Sequence, residues 1–190
     1  GAIIVEPTFE EYSRALALVD CEISHYQLKP ENQFCLDAGI LSALQDNFDM
    51  MFLCNPNNPT GQLVDRSLLL QLLMECKRRN TLLVVDECFM EFLPEWNLYS
   101  LKNEVISYSN LVVIDAFTKT YSLAGFRLGF CRQHGNPFCY EKVGTILFRI
   151  CSCTIRRSLC FTRSRVYADH LSIFASRKGM AVSKIESPGA

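Results

Sequence analysis

The chain runs to 190 residues, 49% of them hydrophobic, with 19 Lys/Arg set against 20 Asp/Glu. That length buries one sizeable core and leaves little for a second. The longest apolar runs, residues 50–54 and 82–85, fall far short of the ~20 residues a membrane span needs, no secretory signal is read at the start, and the ten cysteines do not read as a secreted disulfide framework. A reduced, cytoplasmic protein with no membrane and no nucleic-acid partner is therefore expected.

Ile3, Ile4 and Val5 make a short apolar run. Thr8 and Glu11 have the spacing of a capping box ahead of Phe9, Tyr12, Leu16 and Val19, which predicts a helix over residues 9–19. Residues 22–28 read as a short strand, and residues 37–44 as a helix with Asp37 at its N-cap. Residues 50–54 are continuously apolar and end in a turn cluster, which predicts a strand buried on both faces. Asp65 caps a predicted helix reaching residue 80, with Leu68, Leu69, Leu72, Leu73 and Cys76 on one face. Its last turn carries Lys77, Arg78 and Arg79, where cations suit the macrodipole. Residues 81–85 and 111–114 are two further buried strands. Such alternation predicts a three-layer α/β/α domain with a mostly parallel sheet. Sites in such sheets form beyond the carboxyl ends of strands, and Asn55, Asp86 and residues 116–119 all fall there.

Each of these positions has an ordinary structural use. Asp86 could cap the next segment, Lys119 could be a solvated loop lysine, and Arg127 a surface ion-pair member. The loop Asn55-Pro56-Asn57-Asn58-Pro59-Thr60-Gly61 could be only a stiff turn, with two prolines fixing φ and Gly61 ending it. Taken together they suit one ligand better. A buried carboxylate needs a partner, and a protonated pyridine nitrogen is one. A lysine amine captures an aldehyde as a Schiff base, an arginine holds a phosphate bidentately, and a rigid loop presents an asparagine amide to a ligand oxygen.

In this order and at this spacing, Asn58-Pro59-Thr60-Gly61, Asp86-Glu87 and Lys119 followed by Arg127 closely resemble the class I/II aminotransferase superfamily of fold type I. Members carry pyridoxal 5′-phosphate (PLP) on their large domain. The resemblance implies that Asn58 bonds the cofactor's 3′ oxygen and that Asp86 pairs with the pyridine nitrogen. It implies further that Lys119 holds the aldehyde and that Thr118 and Arg127 hold the phosphate, with no metal. Residues 5–17, 53–61 and 86–92 look most like the threonine-phosphate decarboxylase branch of cobalamin biosynthesis, which is related to the histidinol-phosphate aminotransferases. Aminotransferases usually have tyrosine where Phe89 stands, and the missing hydroxyl leans the reading toward decarboxylation. A small phosphorylated amino-acid substrate and a homodimer are what the resemblance implies of partners.

The resemblance covers roughly residues 3–131, so a fragment of the large domain, residues 1–131, is expected. Ala116 stands where the family usually has a phosphate-binding hydroxyl. The N-terminal arm with the ring-stacking aromatic and the C-terminal domain with the carboxylate-binding arginine are not seen. Residues 1–131 hold 9 Lys/Arg against 17 Asp/Glu, whereas residues 132–190 hold 10 against 3. That tail is rich in Cys and Arg, and it loses periodicity as it loses the resemblance. A divergent domain end and a binding module are two readings of it; out-of-frame translation after Cys131 is the expected one. A catalytically inactive truncated fragment is the alternative to an enzyme.

Overall fold

The computed structural model describes residues 1–44, 48–120, 128–134 and 136–142. Its centre is a seven-stranded sheet in the order β2-β1-β3-β4-β5-β6-β7. The strands β1 (Ala2–Glu6), β2 (Ile23–Gln27), β3 (Met50–Cys54), β4 (Leu82–Asp86) and β5 (Leu111–Ala116) pair in parallel. β6 (Leu128–Gln133) and β7 (Asn136–Lys142) add to β5 as antiparallel strands, so the sheet runs past residue 131 to Lys142. β3 and β5 are buried at every position, as continuous apolar runs covered on both faces should be. β2 lies at an edge and is half exposed.

Side-chain alternation gives the sheet two apolar faces. Ile4, Phe52, Val84 and Val112 lie in register on one, and Ile3, Met51, Leu83 and Leu111 on the other. Helix α1 (Glu11–Ala17) covers the first face, where the Tyr12 ring stacks on Phe52. On the second face α2 (Gly39–Ala43) contributes Ile40, and α3 (Arg66–Arg78) contributes Leu68, Leu69, Leu72, Leu73 and Cys76, to one cluster with the odd-numbered strand residues. Helices on both faces give the three layers that the sequence predicts. Burying a leucine such as Leu72 contributes about 1.5–3 kcal/mol before chain entropy is set against it.

The helix boundaries show which local signals the fold uses. Asp65 caps α3 as predicted, its carboxylate accepting from the Ser67 and Leu68 amides at 2.8 and 3.4 Å. The helix stops at Arg78, and Asn80 turns the chain with φ 57°, a conformation asparagine tolerates. Asp37 accepts from the Gly39 amide at 2.8 Å but stands one residue ahead of the N-cap position. The Thr8–Glu11 capping box does not form. α1 begins at Glu11 with no side-chain cap, because the Thr8 hydroxyl donates to Asn57 Oδ1 at 2.9 Å instead.

Strand β1 has β2 on one side and β3 on the other, so the chain reverses its direction of winding there. Ligands of open α/β sheets bind beyond the carboxyl ends of strands at such a point. The loops after β1, β3, β4 and β5 all emerge at that edge.

Candidate active site

The loop after β3 is held by its first and third residues. Asn55 is fully buried; its amide donates to the Asp86 carbonyl at 2.9 Å and its Oδ1 accepts from the Val64 amide at 2.9 Å. Asn57 donates through Nδ2 to the Pro7 carbonyl and to Thr60 Oγ1, both at 2.8 Å, while Oδ1 takes the Thr8 hydroxyl. Gly61 adopts φ +72° in open space, so backbone conformation and not crowding requires glycine there. The peptide bonds before Pro56 and Pro59 are cis. Asn57 therefore spends its side chain on structure. Asn58, half-buried beside it, makes no side-chain hydrogen bond among the described residues, and its carboxamide is open to a ligand.

Strand β4 ends on Asp86 and is followed at once by Glu87, two acids with different surroundings. Asp86 is half-buried at the sheet edge, with Oδ2 accepting from the Tyr12 hydroxyl at 2.7 Å and Oδ1 from the Cys88 amide at 3.0 Å. Glu87 points the other way and is fully buried. Its carboxylate accepts from Ser100 Oγ at 2.5 Å and from the Leu101 amide at 2.7 Å. Burial pushes its carboxyl up to about 7, against the pull of those two bonds and of the nearby Lys102 charge.

Lys102 is itself buried. It pairs with Glu91 at 2.9 Å and with Asp115 of β5, and its ammonium lies 4.9 Å from the centre of the Trp96 ring. Burial pulls its ionisation down, but the hydrogen bonds and charges of Asp115 and Glu91 outweigh that and hold it above the usual lysine value. This network joins β4, the chain of 3-10 turns after it and β5. None of it was legible from spacing, because Ser100 and Lys102 lie in a polar stretch without period.

After β5 the chain turns directly into α4 (Phe117–Thr120). Lys119 is exposed, with Nζ 5.3 Å from the centre of the Phe89 ring and no carboxylate partner among the described residues. Thr118 is half-buried and Ala116 buried. A cavity of about 210 Å³ opens beside this turn, lined by Glu91, Asp115, Ala116, Phe117, Thr120 and others. Arg127 lies outside the described residues.

Sequence reasoning missed Tyr12, which counted only as an apolar helix position. It also missed Phe9, 38% exposed and edge-on to Tyr12 at 5.8 Å between ring centres. The cysteines here are inert packing: burial and the Asp86 charge push the Cys54 thiol up to about 12, and the same causes push Cys88 up. Among the described residues no cluster of His, Cys, Asp and Glu could hold a metal, and no helix is long and apolar enough to cross a membrane.

A profile of the family described as Aminotransferase class I and II matches residues 1–164. The chain belongs to that family, whose members are PLP-dependent enzymes. It is 40% identical over 131 residues to the threonine-phosphate decarboxylase of Salmonella typhimurium, a match covering 68% of this chain and 35% of that protein. The histidinol-phosphate aminotransferase of Francisella philomiragia is 39% identical over 130 residues, again 68% and 35%. The crystal structure of histidinol-phosphate aminotransferase from Clostridium acetobutylicum has the same fold. Its TM-score is 0.63 at 22% identity, over 94% of this chain and 53% of that one. The chain thus spans about 35% of the length of these curated relatives.

Proposed function

We propose that this chain carries the cofactor-holding half of a PLP site that decarboxylates L-threonine O-3-phosphate to aminopropanol phosphate, a cytoplasmic step of cobalamin biosynthesis. One observation carries the reading: the Lys119 amine has no acidic partner among the described residues and lies over the ring of Phe89. No ion pair among the described residues ties this side chain down, so it is free to reach a ligand aldehyde and, once deprotonated, to form a Schiff base with it. The ring beneath it lacks the hydroxyl usual in the aminotransferase branch. The 40% identity to the Salmonella decarboxylase supports the family reading on which this choice is made.

The donor set fits the cofactor. Asp86 accepts two hydrogen bonds and keeps acceptor capacity for a protonated ring nitrogen. Asn58 offers an unengaged carboxamide to the ring oxygen. Thr118 supplies a hydroxyl for the phosphate and Arg127 a guanidinium, whereas Ala116 supplies nothing. Phe9 offers an exposed aromatic face for stacking, the part that sequence reasoning assigned to residues not seen. When bound, PLP supplies an aldehyde that captures amines and a protonated ring that draws electrons from the substrate Cα. The work of this chain is to orient that ring through Asp86 and Asn58, and to move a proton at Lys119 Nζ.

A histidinol-phosphate-type aminotransferase is the second reading, favoured by the Francisella relative. A homodimer completes the site in either case. The third reading is a fragment that keeps the sheet and lacks activity. Mixing the chain with PLP, reducing with borohydride and mapping the pyridoxyl adduct decides whether Lys119 binds. No adduct, or one that persists in Lys119→Ala, defeats the enzyme reading. With an adduct in hand, CO2 release from threonine phosphate, measured against keto-acid-dependent amino transfer, separates lyase from transferase.

A further inference from the structure

Tyr12 has the position of a core residue and the contacts of a site residue. It is 1% exposed, its ring stacked on Phe52 with centres 5.4 Å apart and planes 20° apart, with Phe9 edge-on against it. Aromatic neighbours on two sides leave the ring little freedom, so the phenol oxygen has a fixed place. From that place the hydroxyl donates to Asp86 Oδ2 at 2.7 Å. The Cys88 amide holds the other oxygen, Oδ1, at 3.0 Å.

The two bonds come from different elements. One belongs to α1, which follows β1; the other belongs to the turn immediately after β4. A carboxylate gripped at both oxygens cannot rotate about Cβ–Cγ without breaking one bond. Two acceptor positions are spent on the grip, and the rest stay open toward the sheet edge. The phenol keeps its proton far into the alkaline range, because burial, then the Asp86 charge, then the Cys54 thiol push its ionisation well up.

A tyrosine that only filled the core would need its hydroxyl satisfied by some acceptor, and a backbone carbonyl would serve. This one is satisfied by the carboxylate that the proposed function assigns to the ring nitrogen. We propose that Tyr12 is a positioning residue that sets the orientation of the Asp86 carboxylate toward the cofactor's ring nitrogen. The inference rests on the PLP reading and deepens it. Packing and chemistry are joined in one side chain: Phe52 fixes the ring, the ring fixes the hydroxyl, and the hydroxyl fixes the carboxylate.

The test compares two ligands on the full 190-residue chain. PLP, and the analogue in which carbon replaces the ring nitrogen, are titrated into the wild type and Tyr12→Phe. The analogue gives Asp86 no ring donor. Tyr12→Phe is expected to weaken PLP about tenfold, the size of one hydrogen bond to a charged group, and to change analogue binding by less than about twofold. Equal losses for both ligands, or none for PLP, overturn the positioning role and leave the cofactor reading standing. A wild type that binds neither ligand overturns the cofactor reading, and this inference with it. Should Tyr12→Phe fail to fold, the ultraviolet absorbance of phenolate in wild type and Asp86→Asn decides the matter without cofactor. One tyrosine of the seven is expected to ionise at lower pH in Asp86→Asn. Identical titrations overturn the hydrogen bond on which the proposal stands.

Discussion

Lys119 holds its amine 5.3 Å from the centre of the Phe89 ring, so the proposed nucleophile meets the residue on which the proposed choice of decarboxylation leans, each in the segment that follows one of the neighbouring strands β4 and β5. Cation–ring contacts at exposed sites are worth about 0.5–1 kcal/mol. That contact favours the unreactive ammonium, so Phe89→Leu is expected to speed formation of the borohydride-trapped adduct about two- to fivefold. Peptide mapping over a time course measures it, and an unchanged rate would remove Phe89 from the site.

The two asparagines of the loop give opposite expectations. Asn57→Ala breaks the ties to Thr8, Pro7 and Thr60 and should destabilise the fold by about 1–3 kcal/mol. Asn58→Ala leaves stability within about 0.5 kcal/mol and lowers PLP affinity. Urea melts and cofactor titrations on both variants check the assignment, which fails if the two behave alike.

Glu87 makes stability depend on pH. Its carboxyl is raised to about 7 from an ordinary 4.5, so between those values the folded state holds a proton that the unfolded chain releases. The contribution is fully present below about pH 4.5 and lost as pH rises through about 7. It amounts to no more than about 3 kcal/mol. Glu87→Gln should flatten the fall in stability between about pH 4.5 and 7, read from urea melts at several pH values. A wild type whose stability rises over that window, relative to the variant, contradicts the assignment.

Lys102 neutralises acids from two directions, Glu91 and Asp115. Removing one partner of a buried pair leaves an uncompensated charge, so Lys102→Met should cost about 3–5 kcal/mol. Adding Asp115→Asn to that variant should recover part of the loss. A double variant no more stable than Lys102→Met would mean that Asp115 is not the group left stranded.

The strands and α3 were legible because their signals are local. Five apolar residues in a row at 50–54, and leucines at helical spacing behind Asp65, carry their own environment with them. Thr8 was misread for the opposite reason: its hydroxyl answers to Asn57, 49 positions away, and no window around Thr8 contains that residue. The site divides in the same way. Of the candidate residues, Asp86 announces itself by ending a buried strand, Lys119 by following one closely, and Asn58 by its motif. Tyr12 was hidden because a tyrosine at an apolar helix position shows its ring in the pattern and not its hydroxyl. Lys102 was hidden because nothing in a polar stretch marks one lysine for burial.

Phe52 sits in the middle of β3, in register with Ile4 and Val84, and by position it is an ordinary core residue. Yet its ring is the surface on which Tyr12 rests, so the hydrophobic interior and the polar edge of this domain share a wall. Drift at Phe52 that the core would absorb without unfolding would still be paid at Asp86. Selection for thermal resistance and selection for cofactor binding should therefore both keep an aromatic ring at this position, the first for its packing in the core and the second for its hold on Tyr12.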